Sequence, residues 1–415
     1  MSAAGPSRRR LLQAATIGLA TAAGAGVVRA ASDTSDTGPG GLGEVHAFYG
    51  MNQAGITTPQ QPFGVVVSFD CVAEGRAGLE RLLRLLTGHI SKLTAGGPVA
   101  EIDGSFPPPD SGMMGKTIPP DGLTITVSVG ASLFNDRYGL AQAKPARLIP
   151  MERFSNDALN AEYCHGDILL QFCANRQETA LHALRDIVKN TPDLLAPRWK
   201  IEGHIAPREK RAPGEETPRN HLGFKDGTAN PASGDAALMS QLIWTRGGTA
   251  GEPQWTEGGS YQVVRIIRNF VERWDRTPLN EQERIIGRHK YSGAPIGKTG
   301  EMDEPDFVTS PDTAKIATDA HIRLANPRDA KAMATRILRR GYNYSAGLSK
   351  SGQMDMGLLF ICYQADLDQG FRAIQQRLNG EALEEYIKPT GGGYFFALPG
   401  VASDQNFLGE ALLKA

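Results

Sequence analysis

The sequence predicts an α+β fold made of two copies of a split βαβ unit, each with an antiparallel sheet. Three observations point to it. Short β-branched runs alternate with helix-period segments, and the order strand, helix, strand, then strand, helix occurs twice along the 415 residues. A polar, Pro-rich stretch from Pro207 to Pro218 separates the two occurrences. The length suits two domains of ordinary globular composition.

In the first half, Phe63 to Asp70 is β-branched and reads as a buried strand. Gly78 to Thr94 carries Leu79, Leu82, Leu83, Leu86, Ile90 and Leu93, the spacing of an amphipathic helix. Leu123 to Val129 alternates as a strand, Asp167 to Ala174 forms another, and Glu178 to Asn190 returns to helix period. The second half follows the same order. Ser260 to Arg268 is a strand, a helix follows near Pro278 to Arg288, Gly341 to Ser345 and Gly357 to Tyr363 are strands, and Phe371 to Leu378 is helical. The apolar run ending at Cys173 resembles the one ending at Cys362. The expected organisation is an N-terminal domain over 45–206, a linker over 207–218 and a C-terminal domain over 219–415.

Ahead of these, Arg8-Arg9-Arg10 precedes an Ala/Gly-rich apolar stretch through Val28, and Val28-Arg29-Ala30 has the small-x-small form of a signal-peptidase site. Residues 1–30 therefore read as a twin-arginine signal for export to the periplasm or another extracytoplasmic space. Residues 31–44 are mostly Ser, Thr, Gly and Asp and read as a flexible arm. No later segment is apolar enough to span a bilayer, so the mature chain is expected to have no membrane span. A net charge of −1 argues against a nucleic-acid partner. Of the four cysteines, Cys173 and Cys362 lie inside apolar strand-like runs as core thiols, and the set does not form a disulfide framework. There is no Cys-x-x-Cys-His, which excludes that route to covalent haem.

The chemistry is carried by three segments. In His221-Leu222-Gly223-Phe224-Lys225-Asp226-Gly227-Thr228-Ala229-Asn230-Pro231 a carboxylate stands between glycines, which favours a turn and also permits close approach to a ligand. Asp319-Ala320-His321-Ile322-Arg323-Leu324-Ala325-Asn326-Pro327-Arg328 places a histidine in a short segment that stops at Pro327. Ile337-Leu338-Arg339-Arg340-Gly341-Tyr342 brings paired arginines to the start of a strand. A haem peroxidase needs an imidazole on the iron. It also needs an acid–base group to move a proton between the peroxide oxygens, and a cation for the developing charge. His321, Asp226 and Arg339 supply these types.

With these motifs, and with Gln53 to Gln61, Cys164 to Gln171 and Lys388 to Gly400, the chain resembles the dye-decolourising peroxidases over nearly its whole mature length. It is most similar to their exported branch, the deferrochelatase/peroxidases of bacterial ferrous-iron uptake systems. The resemblance implies duplicated ferredoxin-like domains and one non-covalent haem b per chain in the C-terminal domain. It implies His321 as the iron ligand, Asp226 as the distal acid–base group and Arg339 as the distal arginine. Gly227, Thr228, Ala229, Asn326, Pro327 and Arg328 would line the haem, with Arg328 at a propionate. The family's acidic partner of the proximal imidazole is assigned to Glu385, with Glu384 beside it as the alternative.

Hydrogen peroxide and a reducing substrate are the implied reactants, with free haem a substrate if iron is released from it with the porphyrin intact. A homodimer and iron-uptake partner proteins are implied in the same way. Because an aspartate must be ionised to act as a base, activity on the acid side is expected. A bulky dye would deliver electrons through surface Tyr or Trp, with Trp244, Trp255 and Trp274 as candidates. The alternative is a periplasmic haem or iron carrier that performs no turnover, which would have no need of a paired distal Asp and Arg.

Overall fold

Val65, Val66 and Val67 open the first strand, and every residue from Gly64 to Phe69 is buried, so this run lies in mid-sheet, where β-branched side chains pack on both faces. The computed structural model describes residues 37–207, 211, 214–307 and 316–415. The first half consists of β1 (Phe63–Cys71), α1 (Gly75–Ala95), the short pair β2 (Gly97–Pro98) and β3 (Thr117–Ile118), β4 (Thr124–Gly130), β5 (Ile168–Ala174), α2 (Gln177–Asn190) and β6 (Leu195–His204). The second half contains α3 (Ala236–Leu242), β7 (Ser260–Asn269), α4 (Val271–Trp274), α5 (Leu279–Ile286), α6 (His321–Ala325) and α7 (Ala330–Ala334). It continues with β8 (Leu338–Arg339), β9 (Tyr342–Leu348), β10 (Met354–Gln364), α8 (Ala373–Leu378), β11 (Ile387–Ala397) and α9 (Glu410–Leu413).

The main sheet runs β7-β11-β4-β5-β1-β6-β9-β10-β8, and β7 also pairs with β10. Eight strands therefore close into a ring, with β8 outside it on β10. In each half the first strand lies between the third and the fourth: β6-β1-β5-β4 in one, β11-β7-β10-β9 in the other. With their helical crossovers these are two ferredoxin-like units in an α+β fold, all paired antiparallel. They join edge to edge, where Phe395 on β11 meets Gly130 on β4 and His204 on β6 meets Asn343 on β9. Closure leaves few free strand edges.

Strand alternation sorts the core into two layers. Val65, Val67 and Phe69 point outward to Leu79, Leu82, Leu83, Leu86 and Ile90 of α1. Val66 points into the ring, with Leu169, Cys173, Trp199, Val264, Tyr342, Ile361 and Phe395. Cys173 is thus inside the ring, whereas Cys362 belongs to the outer layer. The resemblance between their two runs is one of composition and not of facing. All four cysteines are free and buried.

Every strand and helix expected from periodicity forms. The helix expected over 371–378 begins with a wide π-type turn at Asp368–Arg372, broken at Gly370. Among the described residues, the long strands β6 and β11 and the two-residue strands β2, β3 and β8 were not foreseen. The arm expected over 31–44 is described from residue 37. Its end is held: Asp121 N–H donates to the Leu42 carbonyl and Gly122 N–H to that of Glu44, while Asn175 donates to the Glu44 carboxylate at 2.8 Å. Composition missed this because the contacts fix backbone groups, which a Gly-rich sequence also possesses. The expected signal segment over 1–30 and parts of the linker over 207–218 lie outside the described residues. Among the described residues no helix is long and apolar enough to cross a membrane.

The halves differ in what joins the first strand to the second. In the N-terminal unit α1 leads most of the way from β1 to β4. In the C-terminal unit α4 to α7 and the long segments between them replace a single helix. That expanded crossover builds the site.

Candidate active site

A cavity of about 270 Å³ opens beside β7 and β10, walled by the 220–230 loop, α5, α6, β8, α8 and the turn at Ala382–Glu385. His321 lines it from the first residue of α6. The helix is only five residues long and ends at Asn326, before Pro327. Arg377 from α8 holds its C-terminal end, donating at 2.9 Å to the carbonyls of Leu324 and Ala325.

The His321 ring is oriented by a carboxylate. Its Nδ1 lies 2.7 Å from Glu381 Oε2, and the Glu381 side chain is only 4% exposed. Burial alone would lower the imidazole's pKa, but Glu381, by its charge and by the hydrogen bond, outweighs that and raises it above the usual histidine value. With Nδ1–H donated to Glu381, Nε2 is the nitrogen available to a ligand. The carboxylate at His321 is therefore Glu381, and the assignments to Glu385 and Glu384 are corrected. Glu385 is exposed and faces Arg273 at 3.6 Å, while Glu384 accepts the Gly380 N–H. The tight turn after α8 carries Glu381, the first of the three, toward α6.

Asp226 and Arg339 meet on the same cavity, Oδ1 to Nη1 at 2.6 Å. Asn220 Nδ2 approaches Asp226 Oδ2 at 3.3 Å, and the Asp226 N–H donates to the Pro218 carbonyl. Asp226 lies between two turns, one closed by the Gly223 N–H on the Asn220 carbonyl and one by the Asn230 N–H on the Gly227 carbonyl, and Gly227 needs its glycine for conformation, with φ +127°. Asn230 locks the turn to β8: its Nδ2 donates to the Arg339 carbonyl at 2.8 Å and its Oδ1 accepts the Arg339 N–H at 3.1 Å. This reciprocal pair sets Arg339 opposite Asp226. Arg340, the next residue, points away and is buried against Thr58, Pro59 and Gln61.

Gly227, Thr228, Ala229, Asn326 and Arg328 line the cavity, whereas Pro327 does not. Arg328 adopts φ +65° and pairs with Glu304 at 2.9 Å. The sequence reading missed Asn220, Asn230, Glu381 and four cationic side chains on the wall, Arg265, Arg288, Arg336 and Arg377. Asn230 stood in the quoted motif, but its role depends on a partner 109 positions away. Arg288 is buried and donates to the carbonyls of Gly293 and Glu301. Burial, then the neighbouring Arg328 cation, lowers its pKa below the ordinary arginine value.

The apolar wall comes from Phe224, Ile322, Ile337, Leu358, Phe360, Phe371 and Ile374. Behind it, Leu222, Phe224, Trp274, Ile286, Leu383 and Tyr386 form a separate small core. Two of the three candidate electron relays are buried. Trp274 is fully buried and edge-on to Tyr386 at 4.9 Å, Trp255 is buried, and Trp244 is half-buried. Their indoles pack the core, as large aromatics usually do.

This donor set fits a haem. One carboxylate-held imidazole is available as an axial ligand, apolar side chains offer a surface for a macrocycle, and arginines at the wall suit carboxylate substituents. Among the described residues no group of three or more His, Cys, Asp or Glu is placed to hold a bare metal ion.

A family model for the N-terminal part of Dyp-type peroxidases matches residues 53–205, and one for the C-terminal part matches 217–402. A protein of Escherichia coli (strain K12) named deferrochelatase is 55% identical over 414 residues, covering 99% of this chain and 97% of that one. One of the same name from Yersinia pseudotuberculosis is 53% identical over 418 residues, covering 100% and 96%. Among solved structures, a DyP-type peroxidase from Cellulomonas bogoriensis has a TM-score of 0.80 at 35% identity, covering 90% of this chain and all of that one. An oxyferrous complex of DtpA from Streptomyces lividans gives 0.80 at 34%, covering 90% and 98%.

Proposed function

Because the chain belongs to the Dyp-type peroxidase family, we propose that it is a haem b enzyme of the deferrochelatase kind, with His321 on the iron and Asp226 and Arg339 serving peroxide. The observation that carries this is the meeting of a Glu381-held imidazole and an Asp226–Arg339 pair on one cavity with apolar walls and arginines. Bound haem supplies the redox-active iron at which the peroxide bond is cleaved.

The protein's own residues supply the rest. His321 anchors the group through Nε2, and the negative charge of Glu381 makes the imidazole a stronger donor. Asp226 accepts the proton from one peroxide oxygen and returns it to the other, so that the departing oxygen leaves as water. Arg339 offers fixed positive charge and N–H donors to the oxygen that becomes negative. Arg288, Arg328 and Arg336 on the cavity wall would hold the haem propionates. Reducing substrates, dyes among them, then return the enzyme to rest. The arginine run and small-residue cleavage site support export by the twin-arginine route, and the name of the relatives supports removal of iron from haem with the porphyrin intact.

Two assays on the pure haem-loaded protein test the reading. Peroxide-dependent dye oxidation should exceed that of an equal concentration of free haem. Incubation with haem under reducing conditions should release the fluorescence of metal-free protoporphyrin. Dye oxidation no faster than free haem would return the protein to the role of a carrier, and absence of fluorescence would remove the iron-releasing activity.

A further inference from the structure

We propose that Glu301 is a positioning residue for Asp226, a largely buried carboxylate that ties Thr217, Lys225 and Thr228 together around the distal acid–base group. This rests on the acid–base role given to Asp226 above. Glu301 Oε2 accepts from Lys225 Nζ at 2.6 Å, and Oε1 accepts from Thr228 Oγ1 at 2.8 Å and Thr217 Oγ1 at 2.5 Å. Lys225 immediately precedes Asp226, and Thr228 follows it by two residues. Thr217 adjoins Pro218, whose carbonyl accepts the Asp226 N–H at 2.8 Å. The strands of chain that fix the Asp226 backbone thus converge on one side chain.

Burial and packing make the tie specific. The Lys225 and Glu301 side chains are 3% and 12% exposed, so their charges depend on each other. The Lys225 stem lies over Gly293, where an added Cβ would fall 2.7 Å from Lys225 Cδ. Arg288 braces the far side through the carbonyls of Gly293, at 2.6 Å, and Glu301, at 3.0 Å. A turn with Gly223 at φ +84° and Gly227 at φ +127° has little stiffness of its own. Proton transfer within hydrogen-bond reach nevertheless requires a fixed carboxylate. Glu301 supplies that stiffness without touching peroxide or haem.

The test uses the haem-loaded enzyme with Glu301→Gln, and Lys225→Met combined with Glu301→Leu, which removes the tie without stranding a buried charge. Two readouts are taken, the second-order rate of the peroxide reaction and the hydrogen exchange of amides 223–230. The tie predicts a peroxide rate lower by about ten- to a hundredfold. It predicts unchanged rates for the reducing substrate, an unchanged haem spectrum and faster exchange across the turn. Wild-type exchange in the double variant overturns it, as does a wild-type peroxide rate in that variant when Asp226→Asn is slow. If Asp226→Asn itself reacts at the wild-type rate, the acid–base reading fails, and the exchange measurement alone decides whether Glu301 is a tie.

Discussion

Asp226→Asn is expected to slow the reaction with hydrogen peroxide by about 10²- to 10⁴-fold, the range for loss of a general acid–base group. The substitution keeps the shape of the side chain and one oxygen toward Arg339 and gives up only the longer 3.3 Å contact that Asn220 makes, so the turn and the cavity should persist. What is lost is the ability to take up and return a proton. Arg339→Leu removes the positive charge and leaves Asp226 without its 2.6 Å partner, and a loss of about 10²- to 10³-fold is expected. Stopped-flow absorbance after mixing with peroxide measures both. The later reaction with reducing substrate should be little altered, because it does not use the proton relay. Wild-type peroxide rates in both variants would show that the pair is structural.

The largest effect on stability is expected away from the proton relay. Arg265 on β7 and Asp157 form an ion pair with each side chain 1% exposed, and Arg265 also lies at the cavity wall. Asp157 further accepts the Phe154 N–H at 3.0 Å, and the guanidinium stands over the Phe154 ring. Asp157→Ala leaves a buried guanidinium without its counter-charge, which typically costs about 3–5 kcal/mol. Replacing both partners by apolar residues, Asp157→Leu with Arg265→Met, should recover most of that loss, because neither charge is then stranded. Denaturant unfolding of the three proteins measures the difference. Equal stability of Asp157→Ala and wild type would mean that Arg265 finds another acceptor.

The fold was legible wherever burial on one or both faces left a period in the chain, as in β1, α1, β4, β5 and α2. β6 escaped because half of it faces water: Pro197, Arg198, Lys200 and Glu202 interrupt its apolar pattern. β11 escaped for the opposite reason. It is buried, but Pro389 and Gly391 to Gly393 lower its β-propensity, and Gly391 and Gly392 are required where its backbone presses on Tyr163 and Val264. Neither strand could be assigned from propensity alone.

At the site, Asp226, His321 and Arg339 were recognisable because each lies in a local motif, and the fold brings them to one cavity. Their supports were not, because those depend on contacts far apart in the chain. Glu381 reaches His321 across 60 positions, and Glu301 reaches Lys225 across 76. Three glutamates within five residues carry the same charge and differ only in the direction a tight turn gives them. Nothing short of the turn itself distinguishes Glu381 from Glu384 or Glu385.

The central claim is that His321 holds haem iron in this cavity. The absorption spectrum of the folded, haem-loaded protein tests it most directly, with His321→Ala beside the wild type. The prediction is an intense Soret band for the wild type that is lost or displaced toward that of free haem when the imidazole is removed, while the far-ultraviolet circular dichroism stays unchanged. A band of the same position and intensity in folded His321→Ala would contradict it and place the iron on another residue.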